Sequence, residues 1–377
     1  MNPRSSYEYL LPGQKFKIKG KIYEIDDESR EIQAQKDFQV GEFFLDSWES
    51  LYNKQVKFNL ISPLAELDKT KFKKSRMYTG QRFDNAYQIL KEIFLDANFA
   101  DYKIDESLRN TYLSGYIQVC SHKQAIHQVA FACGCMVYDN RKSKIVIEPF
   151  DSSSSQEIQS SEIFDSITVK RKETVTGLTV TVHNFKLKSS REEVFKGYLE
   201  QGTKEILFNF PCLQIEASSE KIRILEQSVN YVILDVLENG EYTLTGLKYE
   251  DLSYKCTKEI FDDFSIKKNN LEIDKAMLIN PSNVELLSEN WISYEFKFIS
   301  NGQKTGQDLT FIDSDGHLFT GALIRQNIDI GKGFLSSCYL LGYQHLQEIE
   351  PNPQFAGDDE IENSKVEIYS NEDYGII

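Results

Sequence analysis

Hydrophobic and polar positions alternate through much of the chain. In "KFKIKGKIYEI", residues 15–25, Phe16 and Ile18 alternate with lysines, and Ile22 and Ile25 sit among polar neighbours. A period of two sends successive side chains to opposite faces, so half-buried antiparallel strands are predicted over residues 1–65. "VKFNLISPLAEL" (56–67) predicts another strand, then a short helix or turn. The period switches at "DNAYQILKEIFLDA" (84–97), where Ala86, Ile89, Leu90, Ile93 and Ala97 share a helical face behind Asp84 as the expected N-cap. A second helix is predicted over 121–134. Ser121 and Gln124 make a capping box, each side chain taking a backbone N–H that the first turn leaves free. Gly134 stands where the helix must stop, since glycine accepts the left-handed backbone of a C-terminal cap. "CMVY" and "KIVIEP" then flank "DNRKS", which predicts a hairpin.

Beyond this point the pattern is mostly that of strands. "DSSSSQEIQSSE" (151–162) is Ser-rich and predicts a loop or boundary. Alternating runs lie on either side of Thr176-Gly177, and more follow in "TKEILFNFPCLQIEA" and "NYVILDVLENGEYTLTGLKYE". Asn239-Gly240 predicts a two-residue hairpin turn, because both residues tolerate positive φ. A further helix is expected over 282–298. Ser282 and Glu285 would form its capping box, and Val284, Leu287, Trp291 and Tyr294 its apolar face. Asp315-Gly316 predicts a hairpin turn in the last β region. From Gln347 onward the chain turns acidic and is expected to form an extended or partly disordered arm. One echo links the two ends. "PGQKFKIKGKIYEI" (12–25) and "TGQDLTFIDSDGHLF" (305–319) both run Gly-Gln, strand, turn, strand, as two related β-domains split by the middle of the chain would.

Composition narrows the class. A chain of 377 residues exceeds one compact core and implies two to four domains. The 24 Phe and 20 Tyr reinforce the lean towards strands. The net charge of −15 disfavours tight nonspecific DNA binding, which needs Lys and Arg to release counterions. Six scattered cysteines fit free thiols of a reducing compartment better than a disulfide scaffold. The first twenty residues hold no apolar stretch of a signal peptide, and no apolar run long enough to span a membrane occurs.

Candidate chemistry is thin. Residues 119–149 gather Cys120, Cys133, Cys135, His122 and His127. Cys133 and Cys135 are separated by one residue, not the two or more of zinc pairs, and His122 and His127 fall on different helical faces. The cysteines read as small packing residues. "DSDG" (313–316) resembles part of a calcium loop but lacks the closing Glu. No Gly-x-Ser-x-Gly elbow is present, and the glycines of "GKGF" (331–334) lack the spacing of a phosphate loop. "KTKFKKSR" (69–76), the one dense basic run, reads as a solvated face. No catalytic, cofactor-binding or metal residue is assigned, and the chain is expected to be neither an enzyme nor a cofactor carrier.

The order of segments resembles a known family. "LLPGQKFKIKGKIYEIDDESRE", "NLISPLAELDKTKFKKSRMYTGQRFDNAYQILKEIF", "YIQVCSHKQAIHQVAFACGCMVYDNRKSKIVIEP", "ETVTGLTVTVHNF" and "EYTLTGLKYE" follow one another as in the tail hub, or tail-tip, proteins of phages and prophages of low-GC Gram-positive bacteria. The helix Ser121-His122-Lys123-Gln124-Ala125-Ile126-His127-Gln128-Val129-Ala130-Phe131-Ala132 is similar to that family's Ser/Thr-x-Arg-Glu-Ala-Leu-Gln-Gln helix. Val175-Thr176-Gly177 through His183-Asn184-Phe185 is similar to its Val-Thr-Gly…His-x-Tyr run. Lys123-Gln124 and Cys133-Gly134-Cys135 depart from it. The likeness spans about residues 7–346 by segment order, and no single motif in it is diagnostic.

That resemblance implies an α+β, β-rich fold: several small antiparallel β-barrel or sandwich domains with helical inserts, similar to a baseplate hub. Residues 1–80 would begin the hub domain, 81–150 form an α/β insert and 151–260 a β-rich domain. Residues 261–346 would form a second barrel-like hub domain with one helix, and 347–377 the acidic arm. It implies a homotrimer in the virion tail, assembled in the host cytoplasm, that closes the tail tube. Expected partners are the tube or distal tail protein, the end of the tape-measure protein, and a spike, fibre or receptor-binding protein, with the genome passing through unbound. An acidic lumen would repel DNA. The alternative is a carbohydrate- or receptor-binding tail protein. A tail-associated peptidoglycan hydrolase is less favoured, because the chain ends in the arm, without room for such a domain.

Overall fold

The computed structural model describes residues 10–25, 32–50, 56–140, 144–149, 155–159, 162–171, 177–259, 270–273, 278–279, 291–299, 303, 306–312, 318–329 and 335–343. The fold is β-rich α+β, with several small sheets and few helices. The chain opens on an antiparallel meander of β1 (Lys15–Ile25), β2 (Ile32–Ser50) and β3 (Val56–Ile61). Alternation sorts its faces. Phe16 stands opposite Phe43 and Ile18 opposite Gly41, while Lys15 and Lys17 stand opposite Phe44 and Glu42 on the other side.

An α/β unit follows. α1 (Pro63–Glu66) is capped by the Ser62 hydroxyl. β4 (Lys71–Phe72) pairs with β8 (Cys120–Ser121), and β5 (Tyr78–Thr79) with β7 (Ser114–Gly115). α2 (Ala86–Asp96) buries Ala86, Ile89, Leu90, Ile93 and Phe94. Its cap is Asn85, whose side chain accepts from the Gln88 N–H at 2.9 Å, and not the expected Asp84. Asp84 is buried and used elsewhere, accepting from the Thr79 N–H and hydroxyl and from Arg76.

β6 (Tyr102–Ile104) runs parallel to β10 (Ile145–Pro149), which pairs antiparallel with β9 (Cys135–Asp139) across the expected hairpin. α3 (His122–Ala132) carries the full capping box, both bonds at 3.1 Å, and Gly134 ends it at φ +64. Residues of α2 and α3 interlock over Ile145 and Ile147 as one hydrophobic cluster. Removing that much apolar surface from water is the main stabilising force on the unit.

The sandwich comes next, after β11 (Ser155–Ile158) and β12 (Ile163–Arg171). β13 (Gly177–Val182) lies outside it. β14 (Phe185–Leu187), β15 (Glu192–Leu199), β17 (Cys212–Ala217) and β20 (Gly240–Asp251) make one sheet. β16 (Gly202–Leu207), β18 (Ile222–Gln227) and β19 (Tyr231–Val236) make the other. Leu199, Cys212, Ile215, Leu234, Val236 and Leu244 fill the space between.

Asn239-Gly240 is not a hairpin turn. β19 and β20 belong to opposite sheets, and neither residue has positive φ. The Asn239 side chain accepts from the Gln201 N–H at 2.7 Å and so ties together two crossings between the sheets.

β21 (Tyr254–Glu259) and β22 (Asn270–Ile273) flank β13, and β23 (Leu278–Ile279) joins β7. The last unit is a six-stranded sheet of order β11-β25-β26-β27-β24-β12, formed with β24 (Trp291–Ile299), β25 (Asp308–Ile312), β26 (Leu318–Asp329) and β27 (Leu335–Tyr343). The Ser-rich stretch expected to be a loop supplies β11, because its backbone pairs with β25 and Ile158 is buried.

The helix expected over 282–298 is also corrected. Residues 282–290 lie outside the described residues, and 291–299 are a strand. Tyr294, Phe296 and Phe298 recur at period two, and all are buried. The Asp315-Gly316 turn, the "GKGF" stretch and the arm from 347 lie outside the described residues, although Ile312 pairs with Leu318 on either side of that turn. Among the described residues no sheet closes into a barrel; the arrangement is one of open sheets and a sandwich.

Candidate functional site

The stretch that gathers cysteines and histidines forms a packed joint. His122 is 3% exposed and opens α3. Its Nδ1 lies 2.8 Å from the Thr70 hydroxyl and its Nε2 lies 3.1 Å from Asp96 Oδ2. Hydroxyl, imidazole and carboxylate in a row is also the order of a nucleophilic triad. Here both ring nitrogens are taken and the ring is sealed, so no substrate atom reaches it. The row clamps the segment before β4 to the end of α2 and the start of α3. The backbone repeats the tie, with the His122 N–H donating to the Thr70 carbonyl at 3.1 Å.

Cys133 and Cys135 are buried beside the same cluster. Burial pushes the Cys120 thiol up to about 11, Cys135 up to about 12, and Cys133 higher still. The thiolate is the reactive and ligating form, so these are packing thiols. His127 is exposed on the outer side of α3. Among the described residues no three His, Cys, Asp or Glu side chains gather as a metal site, and no helix is long and apolar enough to cross a membrane.

Lys69, Lys71 and Lys74 of the basic run 69–76 are exposed, as a solvated face requires, and the run is also tied to its neighbours. Lys69 pairs with Asp46 at 2.8 Å and Glu66 at 2.9 Å, and Lys73 pairs with Glu205 at 2.7 Å. Arg76 spans Asp84 and Glu92, while Phe72 and Ser75 are buried. The Ser75 hydroxyl accepts from the Ile117 N–H at 2.9 Å, and the Ser75 carbonyl accepts from the Ser228 hydroxyl at 2.6 Å. Buried Asn230 donates to the Ile117 carbonyl at 2.7 Å and to the Lys73 carbonyl at 3.4 Å.

The run is therefore a seam on which the first meander, the α/β unit and the sandwich meet. Buried polar groups must be paired, so these bonds fix one relative placement of the units and penalise others. Sequence reasoning missed Ser228 and Asn230. A polar Ser-Val-Asn before a strand looks like any turn, and its partners lie more than a hundred residues upstream.

The Gly-Gln echo is realised in the backbone. The Gly13 N–H donates to the Leu45 carbonyl at 2.8 Å, and the Leu45 N–H to the Gln14 carbonyl at 2.8 Å. At the other end the Gly306 N–H donates to the Leu323 carbonyl at 2.8 Å, and the Leu323 N–H to the Gln307 carbonyl at 2.9 Å. Gly13 has φ +84 and Gly306 φ +87, a region that favours glycine.

Each strand starts one residue after the Gly-Gln pair, with Lys15 opposite Phe44 and Asp308 opposite Ala322. Leu45 then stands opposite Leu60, and Leu323 opposite Leu340, with a register shift immediately after both leucines. β1-β2-β3 and β25-β26-β27 are thus the same meander built twice, pinned by a fully buried leucine in each copy. What differs is the surround. The second copy is flanked by β11 and β24, while the first, among the described residues, stands as three strands.

No family model matches this sequence, and no curated protein matches it. Among solved structures the chain is similar to the tail protein from Neisseria meningitidis MC58, at 10% identity and TM-score 0.46, over 88% of this chain and 89% of that one. It is similar to the prophage tail protein gp18 from Listeria monocytogenes EGD-e, at 9% identity and TM-score 0.44, over 90% and 89%. It is also similar to the 43 kDa tail protein of prophage MuSo2 from Shewanella oneidensis, at 9% identity and TM-score 0.39, over 86% and 88%.

Proposed function

We propose that this chain is a structural component of a phage or phage-like tail: a hub, assembled as a homotrimer, that closes the tail tube. Its role is to hold partners in place, not to catalyse a reaction. The doubled meander is the observation that carries this reading, together with the order of segments in the sequence. A threefold ring of chains that each present two like meanders can meet a tube of twice that symmetry on one side and a threefold spike or fibre on the other.

In this reading residues 1–80 and 261–346 supply the two hub domains, the second completed by β11 and β12 from the start of 151–260; 81–150 and the rest of 151–260 form the inserts between them, and 347–377 an acidic arm. The seam around Ser75 and Asn230 gives such a part its stiffness. The tube or distal tail protein would lie above, the end of the tape-measure protein inside, and a spike or fibre below. The net charge of −15 suits a lumen through which DNA slides without binding.

Antibody labelling of intact particles tests the placement. Label confined to the tail end distal to the capsid supports it. Label along the tube or on the capsid, or none on any particle, overturns it.

A further inference from the structure

The second meander shows what the edge of the first lacks. β25 is flanked by β11, which runs parallel to it in the same sheet, with Ser155 opposite Asp308, Gln156 opposite Leu309, Glu157 opposite Thr310 and Ile158 opposite Phe311. Counted from the Gly-Gln pair, the same positions of the first meander are Lys15, Phe16, Lys17 and Ile18 of β1. Among the described residues β1 pairs with β2 alone, so its other edge keeps backbone N–H and C=O groups without a strand partner. Such an edge is a template for one more strand.

The side chains of β1 define which strand fits. Lys15, Lys17 and Lys19 are exposed on one face, and Phe16 and Ile18 are half-buried on the other. Among the described residues this lysine row meets two carboxylates: Asp101, 2.8 Å from Lys15, and Glu42, 3.2 Å from Lys17 and 3.9 Å from Lys15. The row therefore stays positive. A strand laid beside it is complementary when carboxylates, for the lysine face, alternate with apolar residues, for Phe16 and Ile18.

The sequence holds that alternation in its acidic arm. Glu360-Ile361-Glu362 lies beyond Tyr343, where the described residues end. In the parallel register of β11, Glu360 stands opposite Lys15, Ile361 opposite Phe16 and Glu362 opposite Lys17. The connecting residues 344–359 reach about 50 Å when extended, more than the ~30 Å width of a small domain. We propose that Glu360-Ile361-Glu362 of this chain's own arm pairs in parallel with the outer edge of β1, as β11 pairs with β25. The contact covers an edge that would otherwise pair unselectively with other chains.

Amide hydrogen exchange and carbodiimide cross-linking of the full-length chain test it. In wild type the amides of 360–362 should exchange at least about tenfold more slowly than the same sequence in a free peptide. Lys17→Glu and Glu362→Lys should each remove that protection by placing like charges opposite one another, and the double variant, with the pair reversed, should restore it. Because Lys17 also meets Glu42, recovery in the double variant separates loss of the pair from damage to the meander. Carbodiimide should join Lys15 to Glu360 or Lys17 to Glu362, and in a mixture of isotopically light and heavy chains each joined pair of peptides should carry a single isotope. Pairs of mixed isotope mean that the arm of a second copy holds the edge, and overturn the pairing within one chain. Unprotected exchange at 360–362 in wild type, or protection that survives both single substitutions, overturns the added strand. In each case the hub reading stands, because it does not rest on this strand.

Discussion

Gly13 and Gly306 occupy the same place in the two meanders, and substituting alanine at each separates backbone strain from packing. Both have positive φ, +84 and +87. A Cβ in that region costs about 1–2 kcal/mol through contact with the neighbouring carbonyl. At Gly13 nothing lies within 4 Å of the added methyl, so Gly13→Ala should cost only that strain. At Gly306 the methyl would come within 2.7 Å of the Tyr138 ring. The Tyr138 hydroxyl is held by Glu148, which restrains the ring from swinging aside. Overpacking of this kind adds about 1–3 kcal/mol.

Gly306→Ala should therefore lose about 2–5 kcal/mol in total. Urea unfolding of the two variants, followed by far-UV circular dichroism with a tyrosine fluorescence probe, reads the difference in midpoint. Equal losses would refute the contact between the six-stranded sheet and β9. No loss at either glycine would refute the shared left-handed turn, and with it the doubled meander.

The seam and the buried groups give further outcomes. Asn230→Leu removes the donor to two buried carbonyls and should cost about 1–3 kcal/mol, whereas Lys73→Ala, which loses a half-exposed pair, should cost under about 1 kcal/mol; chemical denaturation compares them. Burial alone would raise the Asp84 carboxyl, but donors from Thr79 and Arg76 outweigh it and hold it below its ordinary range. A depressed carboxyl stabilises the fold above its unfolded value and loses that contribution as pH falls through the folded one. Asp84→Asn should therefore lower the melting temperature at pH 7 and flatten its decline below about pH 4. Cys133, Cys135, Cys212 and Cys338 are buried and their thiols are raised, so a thiol reagent at pH 8 should modify them at least about a hundredfold more slowly in the native protein than in urea.

What could be read in the sequence was local. The capping box of Ser121 and Gln124, the stop at Gly134 and the hairpin around Asn140 are set by residues within a few positions of one another, and each occurs as expected. Asp84 and Asn85 are both good caps, and the choice fell to Asn85 because Arg76 and Thr79 claim Asp84. Asn239-Gly240 has the composition of a hairpin turn, yet the sandwich needs a crossing there, and no local signal records which sheet the next strand joins.

The 282–298 pattern held two periods at once. Val284, Leu287, Trp291 and Tyr294 fit a helix, while Tyr294, Phe296 and Phe298 fit a strand, and pairing with β12 and β27 decides for the strand over 291–299. The Gly-Gln echo was visible, but not its meaning, since the bonds that make the meanders alike join residues far apart in sequence. The Ser75–Asn230 seam was invisible for the same reason.

The proposed role is that of a threefold hub at the end of a tail. A reconstruction of the tail tip from images of intact particles, with symmetry determined and not imposed, tests it most directly. The account predicts three copies around the axis, each placing its two meanders on the ring that meets the tube. A single copy, a stack of rings along the tube, or a ring whose wall contains neither meander would contradict it.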